Sequence, residues 1–237
     1  MRSLVLSVML AAGIVGSALA HAEDAAPEVK GLINYRAPLY PIGLPGITNG
    51  AGDVVMVMTI DAQGKVEDSF AILATDEPFV AEVKRAIPEW QFAPTSSSTY
   101  PRREILEFNF RRSGVVTAVT HLEATSEEFI TTRTAKIKTV QWAELDAEPK
   151  KIHSPVPSVS VATLKKQAGK PLLINFIVDE YGKTRVPVVN TDDAQLAQAV
   201  LKAVREWRYS PPIHQGKPVA VEVTRQLTLP GGEHGAR

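Results

Sequence analysis

The sequence predicts an α+β fold in which one small unit is used twice, each unit a β-hairpin, an α-helix and a closing β-strand, with the helix packed on a small antiparallel sheet. Three observations predict it. Val57-Met58-Thr59-Ile60-Asp61-Ala62-Gln63-Gly64-Lys65 is matched later by Phe176-Ile177-Val178-Asp179-Glu180-Tyr181-Gly182-Lys183. Glu89-Trp90-Gln91-Phe92-Ala93-Pro94 is matched by Glu206-Trp207-Arg208-Tyr209-Ser210-Pro211. Both pairs keep their order and distance, Asp61 and Asp179 being 118 residues apart and Trp90 and Trp207 117. Two motifs recurring in register describe an internal repeat.

Each element follows from its own residues. Gly52 to Ile60 is rich in Val and Met and reads as a strand. Asp61-Ala62-Gln63-Gly64 supplies turn chemistry, and Lys65 to Leu73 returns as a second strand. In the second unit Leu172 to Val178, Asp179 to Gly182 and Lys183 to Val189 play the same parts. Gly64 and Gly182 are assigned to the turns because glycine takes positive φ without steric cost. A helix comes next. Asp76, Glu77 and Pro78 open the first, with Phe79, Val83, Ala86, Ile87 and Trp90 on one stripe. Asp192 or Asp193 caps the second, with Leu196, Val200, Ala203, Val204 and Trp207 recurring at three- and four-residue steps. Pro88 removes a backbone donor and is expected to stop the first helix early. Glu104 to Phe110 and Val219 to Leu229 read as the closing strands, and Val115 to Val119 as a prolongation of the first of them. Glu148-Pro149-Lys150-Lys151, Pro155 and Pro157 mark a boundary.

The N-terminus reads as an export signal. Arg2 is followed by an apolar stretch from Leu4 to Val15 and by small residues ending in Ser17-Ala18-Leu19-Ala20-His21-Ala22, with cleavage expected after Ala22 or Ala20. An uncleaved inner-membrane anchor is the alternative. Spanning a bilayer takes about 20 apolar residues, and Gly13, Gly16 and Ser17 interrupt this run. The expected location is therefore the periplasm. Lys plus Arg and Asp plus Glu are 26 each, so no basic field is present to concentrate nucleic acid. With no cysteine, neither disulfides nor a Cys nucleophile can operate, and apolar burial must hold each unit together.

A strand ending in Asp-x-x-Gly, a helix ending in Trp-x-aromatic-x-Pro and a closing strand, in that order, resemble the C-terminal domain of the TonB energy-transducer family. Tyr40-Pro41 looks like that family's Tyr-Pro lead-in, and Gly216-Lys217-Pro218-Val219 like its Gly-x-Pro-Val approach to the last strand. The resemblance covers about residues 36–112 and 155–230, which divides the chain into a signal at 1–22, a first domain at 36–112, a connecting segment at 113–154 and a second domain at 155–230. It implies a non-catalytic adaptor whose last strand receives an extended peptide, with an envelope protein such as a TonB-dependent outer-membrane receptor as partner and a role in transport across the outer membrane. The candidate partner-facing strands are then Val219–Thr228, with Val219, Val221, Val223 and Arg225, and Arg103–Phe110, with Glu104, Leu106 and Phe108. The chain departs from the pattern in lacking a Pro-rich spacer between Glu23 and Tyr40 and in carrying Pro157-Ser158 where Tyr-Pro falls. Binding without force transduction is the expectation these departures favour. A structural envelope protein that pairs with its own copies as a homodimer, or contacts peptidoglycan, is the alternative.

Other chemistry finds no footing. Trp90, Trp207, Phe92 and Tyr209 are assigned to the core, where losing a buried Trp costs roughly 3–5 kcal/mol. His21, His121, His153, His214 and His234 are scattered without metal-site spacing. Gly46-x-x-x-Gly50 is too short for a phosphate loop, and acidic neighbours such as Glu127-Glu128 and Asp192-Asp193 select no catalytic pair. No enzyme activity, metal or cofactor is expected.

Overall fold

The computed structural model describes residues 29, 31–41, 51–94, 101–111, 116–120, 135, 137–167 and 169–229. The expected signal at 1–22, His121 and His234, and the acidic pair Glu127-Glu128 lie outside them.

In the first half a hairpin of β2 (Ala51–Ile60) and β3 (Val66–Ala74) is followed by α1 (Glu77–Ala86), the two-residue β4 (Gln91–Phe92) and β5 (Arg102–Arg111). β5 pairs antiparallel with β2 over its whole length, from Ala51 opposite Arg111 to Ile60 opposite Arg102. The second half repeats the order with β9 (Leu172–Val178), β10 (Thr184–Val189), α3 (Ala194–Arg205), β11 (Arg208–Tyr209) and β14 (Val221–Leu227). β14 pairs antiparallel with β9, from Val221 opposite Val178 to Leu227 opposite Leu172. Between the halves lie α2 (Val161–Gln167) and three short strands, β6 (Val116–Thr120), β7 (Ile137–Lys138) and β8 (Lys151–His153). β1 (Leu32–Asn34) precedes the first hairpin, and β12 (Ile213–His214) with β13 (Lys217–Pro218) forms a small hairpin before β14.

Helix caps follow the sequence closely. The Asp76 carboxylate accepts from the Glu77 N–H at 3.0 Å, and Asp193, rather than Asp192, accepts from the Gln195 and Leu196 N–H groups at 3.1 and 3.0 Å. The Leu196 amide, aided by Lys166, holds the Asp193 carboxyl below its ordinary pKa. α1 ends at Ala86 and gives way to a 3₁₀ turn at Ile87–Glu89, as a proline at position 88 dictates. Trp90 therefore stands beyond the helix in an extended conformation, and Trp207 follows the Glu206 cap of α3. This corrects their placement on the helical stripes. Both indoles are buried nonetheless, and each is fixed by one bond: Trp90 Nε1–H donates to the Arg36 carbonyl at 2.8 Å and Trp207 Nε1–H to the Pro155 carbonyl at 3.1 Å.

The turn and the aromatic strand form one joint in each half. The Phe92 N–H donates to the Gly64 carbonyl at 2.8 Å, and the Tyr209 N–H to the Gly182 carbonyl at 2.8 Å. Gly64 and Gly182 have φ of +86° and +80°, and a Cβ on either would fall on the carbonyl oxygen of Phe92 or Tyr209. Asp61 and Asp179 close the turns by accepting from the Lys65 and Lys183 N–H groups at 2.7 and 2.8 Å. β1 and β8 complete the joints by pairing antiparallel with β4 and β11. Pairing of β8 with β11 draws Lys151–His153, placed in the connecting segment by sequence, onto the second half.

The two sheets stack with their helices outermost. On β2, Val54, Met56, Met58 and Ile60 join Phe79, Val83, Trp90, Phe92 and Phe108 in one core. On β9, Leu172, Ile174, Phe176 and Val178 join Leu196, Val200, Val204, Trp207 and Tyr209 in another. The opposite faces meet in a third: Val55, Val57, Ile72, Leu73 and Ile105 against Ile177, Val186 and Ala220. The period of two along a strand thus sends alternate residues to different cores.

Polar groups fix how the sheets sit. Asp68 on β3 accepts from Arg185 Nε at 3.2 Å and Nη2 at 2.5 Å, and from the Val186 N–H at 2.8 Å. Val186 is fully buried with φ of +43°, at a bulge where β10 loses register with β9. Positive φ in a β-branched residue is strained, and the Asp68 bond together with the apolar contacts of Val186 holds it. Arg103 on β5 reaches Asn175 Oδ1 at 2.6 Å and Glu222 Oε1 at 2.8 Å, and Arg205 pairs with Glu67.

Two outcomes are expected. Gly182→Ala should lose at least about 2 kcal/mol in urea denaturation, since it adds φ strain to the overlap with Tyr209; a loss under half that would show the joint to be loose. Asp68→Ala should cost about 1.5–3 kcal/mol, and the double-mutant cycle with Arg185→Ala should yield a coupling near 1–2 kcal/mol, with additivity as the contrary result.

Candidate functional site

A strand edge can bind a peptide only if its outward N–H and C=O groups are unpaired and nothing blunts it. The two larger sheets among the described residues have four end strands, β6 and β7 in one and β10 and β14 in the other. One sheet runs β6-β5-β2-β3-β7, the other β10-β9-β14. β10 carries Pro187 and the bulge at Val186, two devices that spoil an edge. β3 carries Glu67 and Asp68, both engaged by the second half, and is flanked by β7 at Leu73 and Ala74. β14 has neither proline nor bulge and keeps seven consecutive register pairs with β9.

The sequence-derived site residues separate accordingly. Leu106 and Phe108 lie on β5, whose outer side is taken by β6 from Leu106 opposite Thr120 to Phe110 opposite Val116. That stretch is not an edge, which corrects its reading as partner-facing, and β6 is a separate antiparallel strand rather than a prolongation of β5. The side chains of Leu106 and Phe108 are fully buried, and the buried Glu104 pairs with Arg102 at 3.0 Å. Val219 precedes β14 and donates its N–H to the Pro212 carbonyl at 3.0 Å, so it falls outside the strand. Val221 and Val223 point into the α3 core, and Arg225 is half-buried. For Val221, Val223 and Arg225 the exposed feature is the backbone edge of their strand. Trp90, Trp207, Phe92 and Tyr209 are all core residues. Burial raises the Tyr209 hydroxyl above its ordinary pKa.

A segment that sequence reasoning passed over shapes this edge. Thr139 donates its N–H to the Ile72 carbonyl of the first sheet, and Val140 its own to the Ala220 carbonyl, both at 2.9 Å, in a parallel bridge beside Val221. The chain thus straps the two sheets together and covers the start of the β14 edge. Beyond it, a 3₁₀ turn at Trp142–Glu144 places the Trp142 ring under the Arg225 guanidinium, 4.4 Å from its centroid, while Arg225 also pairs with Glu148 at 3.0 Å. Asp146 accepts from the Gln215 and Gly216 N–H groups at 2.9 and 2.8 Å. Those amides, Gly216 foremost, lower its pKa, so the bonds to the ionised carboxylate persist above the carboxylate range and weaken as pH falls through it. The β-branched and aromatic run Thr139-Val140-Gln141-Trp142 was the available signal.

Because the Ala220 carbonyl faces Val140, the two-residue alternation of a strand turns the N–H and C=O of Thr224 and Gln226 to the same outer side. No described strand lies beside them. Thr224 and Gln226 are exposed, Leu227 is half-buried and Thr228 is exposed. Among the described residues no group of three or more His, Cys, Asp or Glu is placed to hold a metal ion, and no helix is long and apolar enough to cross a membrane. His214 is tied by Nδ1 to the Glu144 carbonyl at 2.6 Å.

In amide hydrogen exchange, the Thr224 and Gln226 N–H groups should exchange markedly faster than those of Val223 and Arg225, which face β9. Equal protection along β14 would show a covered edge.

No curated protein and no solved structure matches the chain. Residues 161–228, from the start of α2 to one residue past β14, match the family model described as the Gram-negative bacterial TonB protein C-terminal, and residues 36–112 lie outside that match.

Proposed function

We propose that the chain is a non-catalytic, periplasmic protein-interaction module of the Gram-negative envelope that takes up an extended segment of an envelope protein as an added strand on β14. The observation that carries this reading is the contrast between its edges among the described residues: β10 is blunted, β5 is covered from Leu106 to Phe110, and β14 is free of bulges and has no strand paired to it beyond the bridge at Val140, where the Trp142 turn packs beside Arg225. The family match supports the setting, since it is to a Gram-negative TonB C-terminal model and takes in the whole of this strand. Strand addition draws affinity from main-chain bonds and selectivity from alternate side chains, so it needs no pocket and no titrating pair. An outer-membrane receptor is the partner class we assign to it, with the signal at 1–22 delivering the chain.

We further propose that residues 36–112 form a second module of the same kind. The supporting points are the repeated hairpin-helix-strand order, the paired joints at Gly64–Phe92 and Gly182–Tyr209, and the indole bonds to Arg36 and Pro155.

A photo-crosslinking residue placed at Gln226 tests the reading in cells. We expect an adduct that mass spectrometry identifies as an outer-membrane protein, and none from the same residue at exposed Lys202 on α3. Adducts only with the chain itself or with peptidoglycan would replace the reading with the self-assembling envelope protein, and the absence of any adduct at Gln226 would end it.

A further inference from the structure

The closing strands of the two halves occupy matched places, yet their outer edges are in different states. Ile60 and Val178 each stand immediately before the turn aspartate, and their cross-strand partners are Arg102 and Val221. Leu106–Phe110 on β5 therefore corresponds to Arg225–Leu229 on and just after β14. β6 fills the outer side of the first stretch, antiparallel, over five register pairs. No described strand lies beside the second, and the Val140 bridge meets the edge earlier, at Val221.

We propose that β6 is a built-in occupant of the first half's docking edge, so that of the two closing strands β14 alone keeps its docking edge, at Arg225–Leu229, and that this edge accepts a strand of the β6 type: about five residues, uncharged, rich in β-branched side chains and antiparallel to β14. This deepens the strand-addition reading and rests on it. Three observations carry it. The sequence of β6, Val116-Thr117-Ala118-Val119-Thr120, contains no charge and four β-branched residues, a composition suited to a pleated, half-buried surface. The charges nearest the open edge are already engaged, Arg225 with Glu148 at 3.0 Å and Glu222 with Arg103 at 2.8 Å. An uncharged strand leaves those pairs intact, whereas a charged one would compete with them. The strap at Val140 bounds the site on one side, which directs the incoming strand to the stretch that β6 covers in the first half.

The chain has no cysteine, so an introduced thiol reports position without interference. The probe is a synthetic peptide of residues 114–122 carrying Thr117→Cys, a position that in the chain pairs with Asn109. Asn109 corresponds to Thr228 at the open edge. Disulfide trapping should be several-fold greater on full-length chain carrying Thr228→Cys than on chain carrying Asn109→Cys, and a peptide with two lysines in place of Val116 and Val119 should trap poorly. Replacing both Thr117 and Ala118 of the chain by proline should raise trapping at Asn109→Cys, because neighbouring N–H groups point to opposite sides and one of them must serve the β5 ladder. If that variant loses its near-UV tryptophan signal, the comparison within the intact chain decides alone. Equal trapping at both sites in the intact chain, or equal capture of the lysine peptide, overturns the proposal. Loss of trapping at Thr228→Cys with the Gln226 photo-crosslink retained sinks the strand type and spares the docking reading; loss of both sinks that reading too.

Discussion

Everything in each half is positioned by a backbone bond that a side chain would forbid. The Gly64 and Gly182 carbonyls receive the Phe92 and Tyr209 N–H groups, and the approach is so close that any Cβ would collide with the opposing carbonyl. The bond carries the chain leaving the helix back to the tip of the hairpin. That fixes where α1 or α3 lies on its sheet, and it presents Trp90 or Trp207 to the carbonyl of the segment entering the unit. A sequence motif at the turn and another after the helix recur together because they are two sides of one contact.

The joint also limits what the exposed parts can be. With the helix committed to one face and the other half committed to the opposite face, a sheet of this kind has only its edges left for recognition. Asp68 and Arg185, Val186, and Arg103 with Asn175 and Glu222 hold the two sheets face to face. Function in such a body is a question of which edge is spoiled, filled or left open. The bulge and Pro187, β6, and the strap at Val140 answer it strand by strand.

The hairpins, the caps at Asp76 and Asp193, the Pro88 stop and the aromatic core were legible because each rests on local chemistry: turn residues, a short acceptor before a helix, a missing donor, an apolar stripe. The indoles were assigned to the core for the wrong local reason, since they stand past the helix ends and are buried by the joint. What sequence left dark was long-range. Nothing in Val116–Thr120 says that it folds back on β5 rather than extending it, and nothing in Thr139-Val140 says that one residue serves each sheet. Leu106 and Phe108 were legible as strand residues, but whether a strand stands at the edge or inside a sheet depends on its neighbours.

Val186 shows how far the second half depends on the first. By motif, that half contains a complete hairpin, helix and closing strand, and the family match falls within it. Yet one of its buried residues keeps a disfavoured backbone shape with help from a carboxylate supplied by the other half. Excised, the same stretch would face water with Ile177, Val186 and Ala220 uncovered, and the bulge at Val186 would lose the Asp68 bond that helps to hold it, although the turn at Asp179–Gly182 would still set the start of the hairpin. Autonomy judged from motifs alone would be misleading here: this half has the parts of a domain and borrows its alignment.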